Sequence, residues 1–108
     1  MRQAQVFYRD ILAGIITENE EGYTFEYDES YLNHTESKPV SLTLPLKRGY
    51  YQSKMLFPFF DGLIPEGWLL NIALSNWKIN PRDRFGLLLT LCKDCVGCVS
   101  VVPKENES

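Results

Sequence analysis

Eighteen consecutive apolar residues occur nowhere in this sequence, so no segment reads as a membrane-spanning helix. The opening Met1-Arg2-Gln3-Ala4-Gln5 leads into a polar-interrupted strand pattern and not the apolar stretch of a signal peptide, which leads us to expect a soluble, cytoplasmic protein without a membrane partner. A dense basic face is also lacking: eleven Lys and Arg are scattered among fourteen Asp and Glu, for a net charge of -3, so direct nucleic-acid binding is not expected. The motifs of phosphoryl transfer are missing too. No G-x-G-x-x-G, no G-x-x-x-x-G-K-[ST] and no H-R-D or D-F-G set occurs, so ATP and its magnesium have no holders, and no enzyme, catalytic residue or cofactor is expected. Histidine occurs once, and His34 beside Thr35 has no flanking group to orient it for acid–base work, so it reads as a surface residue.

Cysteine is scarce and crowded. Its three copies, Cys92, Cys95 and Cys98, form one C-x-x-C-x-x-C run, a poor disulfide framework that suits a reducing compartment. A structural zinc site takes four ligands and an iron–sulfur site adds a fourth Cys, and neither a fourth Cys nor a nearby histidine is present. A helix end at Cys92, a loop at Cys95 and a strand start at Cys98 would aim the three thiols in different directions, so no metal site is expected and buried or half-buried free thiols are the reading.

What is present suffices for one modest core. With 108 residues, 44% of them hydrophobic and 13% aromatic, the chain is expected to form a single domain over residues 1–108, its ordered core at about 4–103. Gln5–Tyr8, Ile11–Thr17 and Tyr23–Tyr27 read as a three-strand meander broken at Arg9-Asp10 and at Glu18–Gly22. In the third run Tyr23, Phe25 and Tyr27 alternate with Thr24 and Glu26, giving one aromatic and one wet face. Asp28–Leu32 predicts a helical turn, 33–39 a polar loop, Val40–Leu44 a fourth strand ended by Pro45, and Lys47–Tyr51 a connector. Two helices follow, Pro65–Lys78 and Pro81 to about Cys92, the second with Asn80 as N-cap, Pro81 at N1 and Asp83 at N3. Val99–Val102 closes as a last strand. The predicted class is α+β, a mostly antiparallel sheet with two helices packed on one face.

The densest information lies in Phe57–Trp68, where four aromatics, two prolines and two glycines share twelve positions that no regular helix or strand tolerates. It reads as a shaped corner: a short helical turn that breaks at Asp61-Gly62 and restarts with Pro65 as first helical residue. Phe57, Phe59 and Phe60 read as core. Glu66 falls in the first helical turn, where exposed N–H groups favour a carboxylate. At about 100° per residue, Leu69, Leu70, Ala73, Leu74 and Trp77 share the arc that a helix turns to a sheet. Trp68 lies opposite, with Ile72 about 40° away and Asn71, Ser75 and Asn76 as a polar rim. Two readings stay open from the pattern alone: Trp68 anchors a partner, as Trp often does at interfaces, or it folds back over Phe57 or Phe60.

Phe60-x-x-Leu63-Ile64-Pro65-Glu66-Gly67 matches the F-x-x-L-L/I-P-E-G pattern of the amino-terminal subdomain of HipA-family serine/threonine kinases, which this chain resembles. The likeness continues through Asp94-Cys95 to Pro103, similar to that family's D-C-x-G-A-V-x-x-x-P ending, and back through Gly14 and Gly22-Tyr23-Thr24-Phe25. Cys92 and Cys98 depart from it, standing where small residues are usual. A kinase needs several hundred residues and this chain stops where the subdomain stops, so it resembles the free-standing bacterial form, the HipS antitoxins of three-component HipBST toxin–antitoxin systems. That resemblance implies a HipA N-terminal subdomain-like fold. It also implies a partner-binding role for Trp68, Ile72, Pro65, Glu66, Gly67, Asn71 and Ser75, a HipA-like kinase (HipT) as partner, and a HipB-like DNA-binding protein in a ternary complex. The implied function is inhibition of the kinase in trans. The alternatives are a scaffold or activating subunit that links the kinase to the DNA-binding protein, and a Cys-based metal or redox module.

Overall fold

The computed structural model describes residues 2–64, 82–92 and 98–104. In chain order these form β1 (Arg2–Tyr8), β2 (Ile11–Asn19), β3 (Gly22–Tyr27), α1 (Glu29–Asn33), β4 (Tyr50–Ser53), α2 (Pro58–Asp61), α3 (Arg84–Leu91) and β5 (Val99–Pro103). The five strands make one sheet in the order β4-β3-β2-β1-β5, with every neighbouring pair antiparallel. The predicted meander is its centre, and the last strand adds to β1 at one edge.

Alternation explains the layering. Ala4 and Val6 of β1 pair with Ile16 and Gly14 of β2, Ile16 and Gly14 with Phe25 and Tyr27 of β3, and Val6 with Val101 of β5. These residues share one buried face; the opposite face carries Gln3, Thr17, Thr24 and Gln52, in keeping with a sheet covered on one side. A bulge breaks the β1–β2 register between Val6 and Phe7, leaving Ala13 opposite no residue of β1. Its carbonyl accepts from the Asp28 N–H at 2.7 Å, and Asp28 caps α1 by accepting from Tyr31 N. The bulge thus positions the chain's exit from the sheet. Gly22 opens β3 at a φ of +137°, where a Cβ would stand 2.3 Å from the Ser53 carbonyl oxygen of β4.

Against the buried face lie aromatic rings in tilted and edge-on contact. Phe60 of α2 is fully buried, its ring 5.4 Å from Phe25, 5.2 Å from Phe59 and 6.2 Å from Phe57, which bears out the core reading of all three phenylalanines of the corner. Leu87 and Leu88 of α3 complete the layer with Phe85.

Three expectations are corrected. Val40–Leu44 is no strand. The Ser41 hydroxyl accepts from Thr43 N, and Leu44 N closes on Ser41 O at 3.1 Å, which makes a turn with Leu42 93% exposed at its tip. The Tyr27 hydroxyl, accepting from Val40 N and donating to Leu44 O, takes the backbone groups a ladder would need. The fourth strand is instead Tyr50–Ser53, whose first two residues lie in the stretch expected to be a connector: Tyr51 turns inward opposite Phe25 and donates to Pro45 O at 2.6 Å, while Tyr50 and Gln52 face out. The last helix starts later than expected, with Asp83 as its N-cap and not its third residue, because the carboxylate accepts from Gly86 N at 3.1 Å and is held there by Arg2. The predicted helix Pro65–Lys78, with Trp77, and the expected caps Asn80 and Pro81 lie outside the described residues.

Candidate partner-binding surface

Two described elements, α2 and α3, form the two banks of a cavity. On the first bank, Pro58 at N1 starts α2 with the φ a helix needs, and Gly62 N closes on Pro58 O at 2.9 Å. Leu63 N and Ile64 N then donate to Phe60 O and Asp61 O, so the corner is wound tightly to its last described residue, and Ile64 is buried. The Cys92 thiol, at the far end of α3, donates to Leu63 O at 3.4 Å.

On the second bank, the Arg84 Nε donates to Asp61 Oδ1 at 2.7 Å, tying α3 to α2. Arg2 fastens the same helix to the sheet. Its guanidinium donates to both Asp83 oxygens at 2.8 and 2.9 Å and to both Glu18 oxygens at 2.7 and 2.9 Å, and lies 5.3 Å from the Phe85 ring centre. The Asp83 hydrogen bond and then that of Glu18 raise the Arg2 pKa above its already high ordinary value; in return the guanidinium holds Asp83 below the usual carboxylate range. Between the banks opens a cavity of about 660 Å³ lined by Lys54, Met55, Leu56, Pro58, Asp61 and Arg82 among others. Met55 is 77% exposed there, an apolar side chain with charges of both signs around it. Three acids line the cavity as well, and each is held by an arginine: Asp61 by Arg84, and Glu18 and Asp83 by Arg2.

Pro65, Glu66, Gly67, Trp68, Ile72, Asn71 and Ser75 all fall outside the described residues, as does Cys95. Cys92, the C-cap of α3, and Cys98, just before β5, stand at the expected helix end and strand start; Cys92 is buried, but Cys98 is exposed and not the buried or half-buried thiol expected. Among the described residues no three His, Cys, Asp or Glu side chains are grouped to hold a metal. His34 is exposed at the C-cap of α1, its Nδ1 accepting from Glu36 N. Sequence reasoning missed the Arg2–Asp83 clamp, which joins residues 81 apart. The available signal was the meander register, which sets Arg2 opposite Glu18.

A five-stranded antiparallel sheet with a helical corner and α3 tied to each other and to the sheet by arginine–carboxylate pairs is the framework of a small α+β domain. The chain belongs to the HipA N-terminal domain family, whose profile it matches over residues 4–102. It is 31% identical over 106 residues to an uncharacterized protein of Haemophilus influenzae (strain Rd), covering 98% of this chain and 96% of that one. It is 27% identical over 108 residues to the putative kinase Y4mE of Sinorhizobium fredii, covering 99% of this chain but 26% of the kinase. Among solved structures it superposes on an N-terminal domain of HipA toxin with a TM-score of 0.76 at 27% identity, covering 99% and 96% of the two chains. The fold also recurs in the HipA–HipB–operator DNA complex of Shewanella oneidensis MR-1, with a TM-score of 0.73 at 18% identity over 97% of this chain and 24% of that one. The chain thus spans about a quarter of the putative kinase, and what they share is the N-terminal domain and not the catalytic one.

Proposed function

We propose that this chain acts as a HipS-type antitoxin, binding a HipA-like serine/threonine kinase (HipT) in trans and inhibiting its phosphotransfer in the bacterial cytoplasm. The observation that carries this reading is the occurrence of the same domain in two settings: as nearly the whole of the H. influenzae relative, and as about a quarter of a putative kinase. A domain that packs within one chain in some relatives carries a ready-made surface for the equivalent body when the two are separate, and separation lets its occupancy follow concentration. The contact residues in this reading are Trp68 and Ile72 with Pro65, Glu66, Gly67, Asn71 and Ser75. A HipB-like DNA-binding protein is the third member of the complex, reached through the kinase.

Titration calorimetry against a purified HipT-like kinase tests the interaction. Micromolar or tighter binding is expected, weakened by about 2 to 4 kcal/mol in Trp68→Ala with the melting curve of the chain unaltered. Trp68→Ala binding like the parent would remove Trp68 from the surface, and no complex at micromolar concentrations would remove the kinase as partner. The scaffold reading shares this binding step and predicts unchanged or raised phosphotransfer.

A further inference from the structure

The two edges of the sheet differ. Arg9 N donates to Cys98 O and Lys104 N to Gln3 O, so along β5 the alternation turns the backbone groups of Ser100 and Val102 to β1 and those of Val99, Val101 and Pro103 outward. That side is largely closed to another strand: Val101 N donates to Cys92 O at the C-cap of α3 at 2.9 Å, and Pro103 has no N–H to offer. At the opposite edge, the Asp28 N–H on Ala13 O sets the alternation of β3, so Thr24 and Glu26 face β2 while Tyr23 and Phe25 face β4. Their partners Ser53 and Tyr51 are thereby engaged, and the N–H and C=O groups of Tyr50 and Gln52 point away from the sheet. No other group among the described residues takes them, and both residues are exposed.

Charge selects the occupant of this open edge. From Pro39 to Phe60 the chain carries Lys47, Arg48 and Lys54, all exposed, and no carboxylate. Lys47 and Arg48 lie just before β4, with Lys47 Nζ 4.1 Å from the Tyr51 ring centre, and Lys54 lies just after it. Glu26, opposite Tyr50, and Glu21, in the turn before β3, stand on the β3 side of β4, and Glu29 is already 3.7 Å from Arg48. A second copy of the chain fits poorly. Pairing β4 with itself about a twofold at Tyr51 would set Lys54 opposite the second copy's Arg48 at both ends, and four residues bury far less than a stable dimer needs. We propose that β4 is a strand-addition site for an extended acidic segment of another protein. The segment exchanges backbone hydrogen bonds with Tyr50 and Gln52, and carboxylates at its two ends meet Lys47 and Arg48 on one side and Lys54 on the other. None of the residues assigned to the kinase contact takes part.

The test is amide hydrogen exchange of the full-length chain, read residue by residue by nuclear magnetic resonance at constant ionic strength. The probe is a synthetic peptide of alternating valine and threonine with two glutamates at each end; a second peptide has lysines in their place, and a third is the acidic peptide N-methylated at alternate residues. With the acidic peptide at nine-tenths occupancy, exchange at Tyr50 and Gln52 should slow about tenfold, the mass-action factor. The lysine and N-methylated peptides should leave it unaltered. Gln52→Pro removes one outward N–H at an edge position that tolerates proline and should abolish binding, whereas Gln52→Ala should bind like the parent. Replacing Arg48 and Lys54 together by Gln should weaken the acidic peptide about fivefold, the loss of two exposed charge pairs. No slowing, equal slowing by the lysine or N-methylated peptide, or unaltered affinity in the Arg48 and Lys54 variant would overturn the proposal. Protection of Tyr50 and Gln52 without peptide, rising with chain concentration, would give the edge to a second copy instead.

Discussion

Replacing Asp83 tests whether α3 is fixed by its cap and by Arg2 together. The side chain accepts from Gly86 N as N-cap, a contact whose loss costs about 1 kcal/mol. It also forms a two-pronged pair with Arg2, and because the two side chains are 40% and 34% exposed, solvent screening limits that pair to about 0.5 to 1 kcal/mol. Arg2 keeps Glu18 when Asp83 is gone, so no buried charge is orphaned. Asp83→Ala should therefore lower the unfolding free energy by about 1.5 to 2 kcal/mol, and Asp83→Asn, which retains an oxygen for the cap, by about 0.5 to 1. Gly86 supplies the internal check. A Cβ there would stand 2.3 Å from Asp83 Oδ2 and 2.8 Å from its Cγ, so Gly86→Ala expels the carboxylate from the cap. The helix gains up to about 1 kcal/mol from alanine and loses about 1.5 to 2 from the cap and pair, for a net loss of about 0.5 to 1. In an Asp83→Ala background the same change has no carboxylate to displace and should stabilise. Urea unfolding of the four chains at pH 7 reads this as a reversal of sign. Gly86→Ala stabilising both backgrounds equally would refute the reasoning.

The Asp83 carboxylate, with its folded pKa depressed by Arg2, contributes stability that is present above the ordinary carboxylate range near pH 4 and is lost as pH falls through the folded value, so acid titration of unfolding should show a loss that Asp83→Asn lacks. Tyr27 works in the opposite sense. Burial pushes its hydroxyl up to about 12, so the stability it gives is complete below its ordinary value of 10.0 and is lost between those two pH values; Tyr27→Phe should be less stable than the parent by about 1 to 3 kcal/mol at pH 8 and show a smaller deficit above pH 11. Protein purified in reducing buffer should carry well under one equivalent of zinc or iron by elemental analysis, whereas near-stoichiometric metal with unfolding on chelation would restore the metal-module reading.

The parts of the fold legible in the sequence are those whose signal is local. Tyr23, Phe25 and Tyr27 alternate cleanly because β3 buries one face, and Pro58 and Gly62 bracket a helical turn that their own backbone limits dictate. Val40–Leu44 alternates equally well and is a turn, because a tyrosine hydroxyl thirteen residues away takes its backbone N–H and the Ser41 hydroxyl offers a closer partner. Tyr50–Ser53 carries too short an alternation to stand out from a connector, and becomes a strand through Tyr51 packing opposite Phe25. Asp83 was placed three residues too deep in its helix because the side chain that fixes it, Arg2, is at the other end of the chain.

The most direct measurement is phosphotransfer by a purified HipT-like kinase to its substrate, followed as this chain is added across the concentration range in which the complex forms. The expected result is a fall in substrate phosphorylation in proportion to complex formed, with Trp68→Ala much less effective at equal concentration. Unchanged or increased phosphotransfer at saturating chain would contradict inhibition and assign the domain the role of a scaffold or activator.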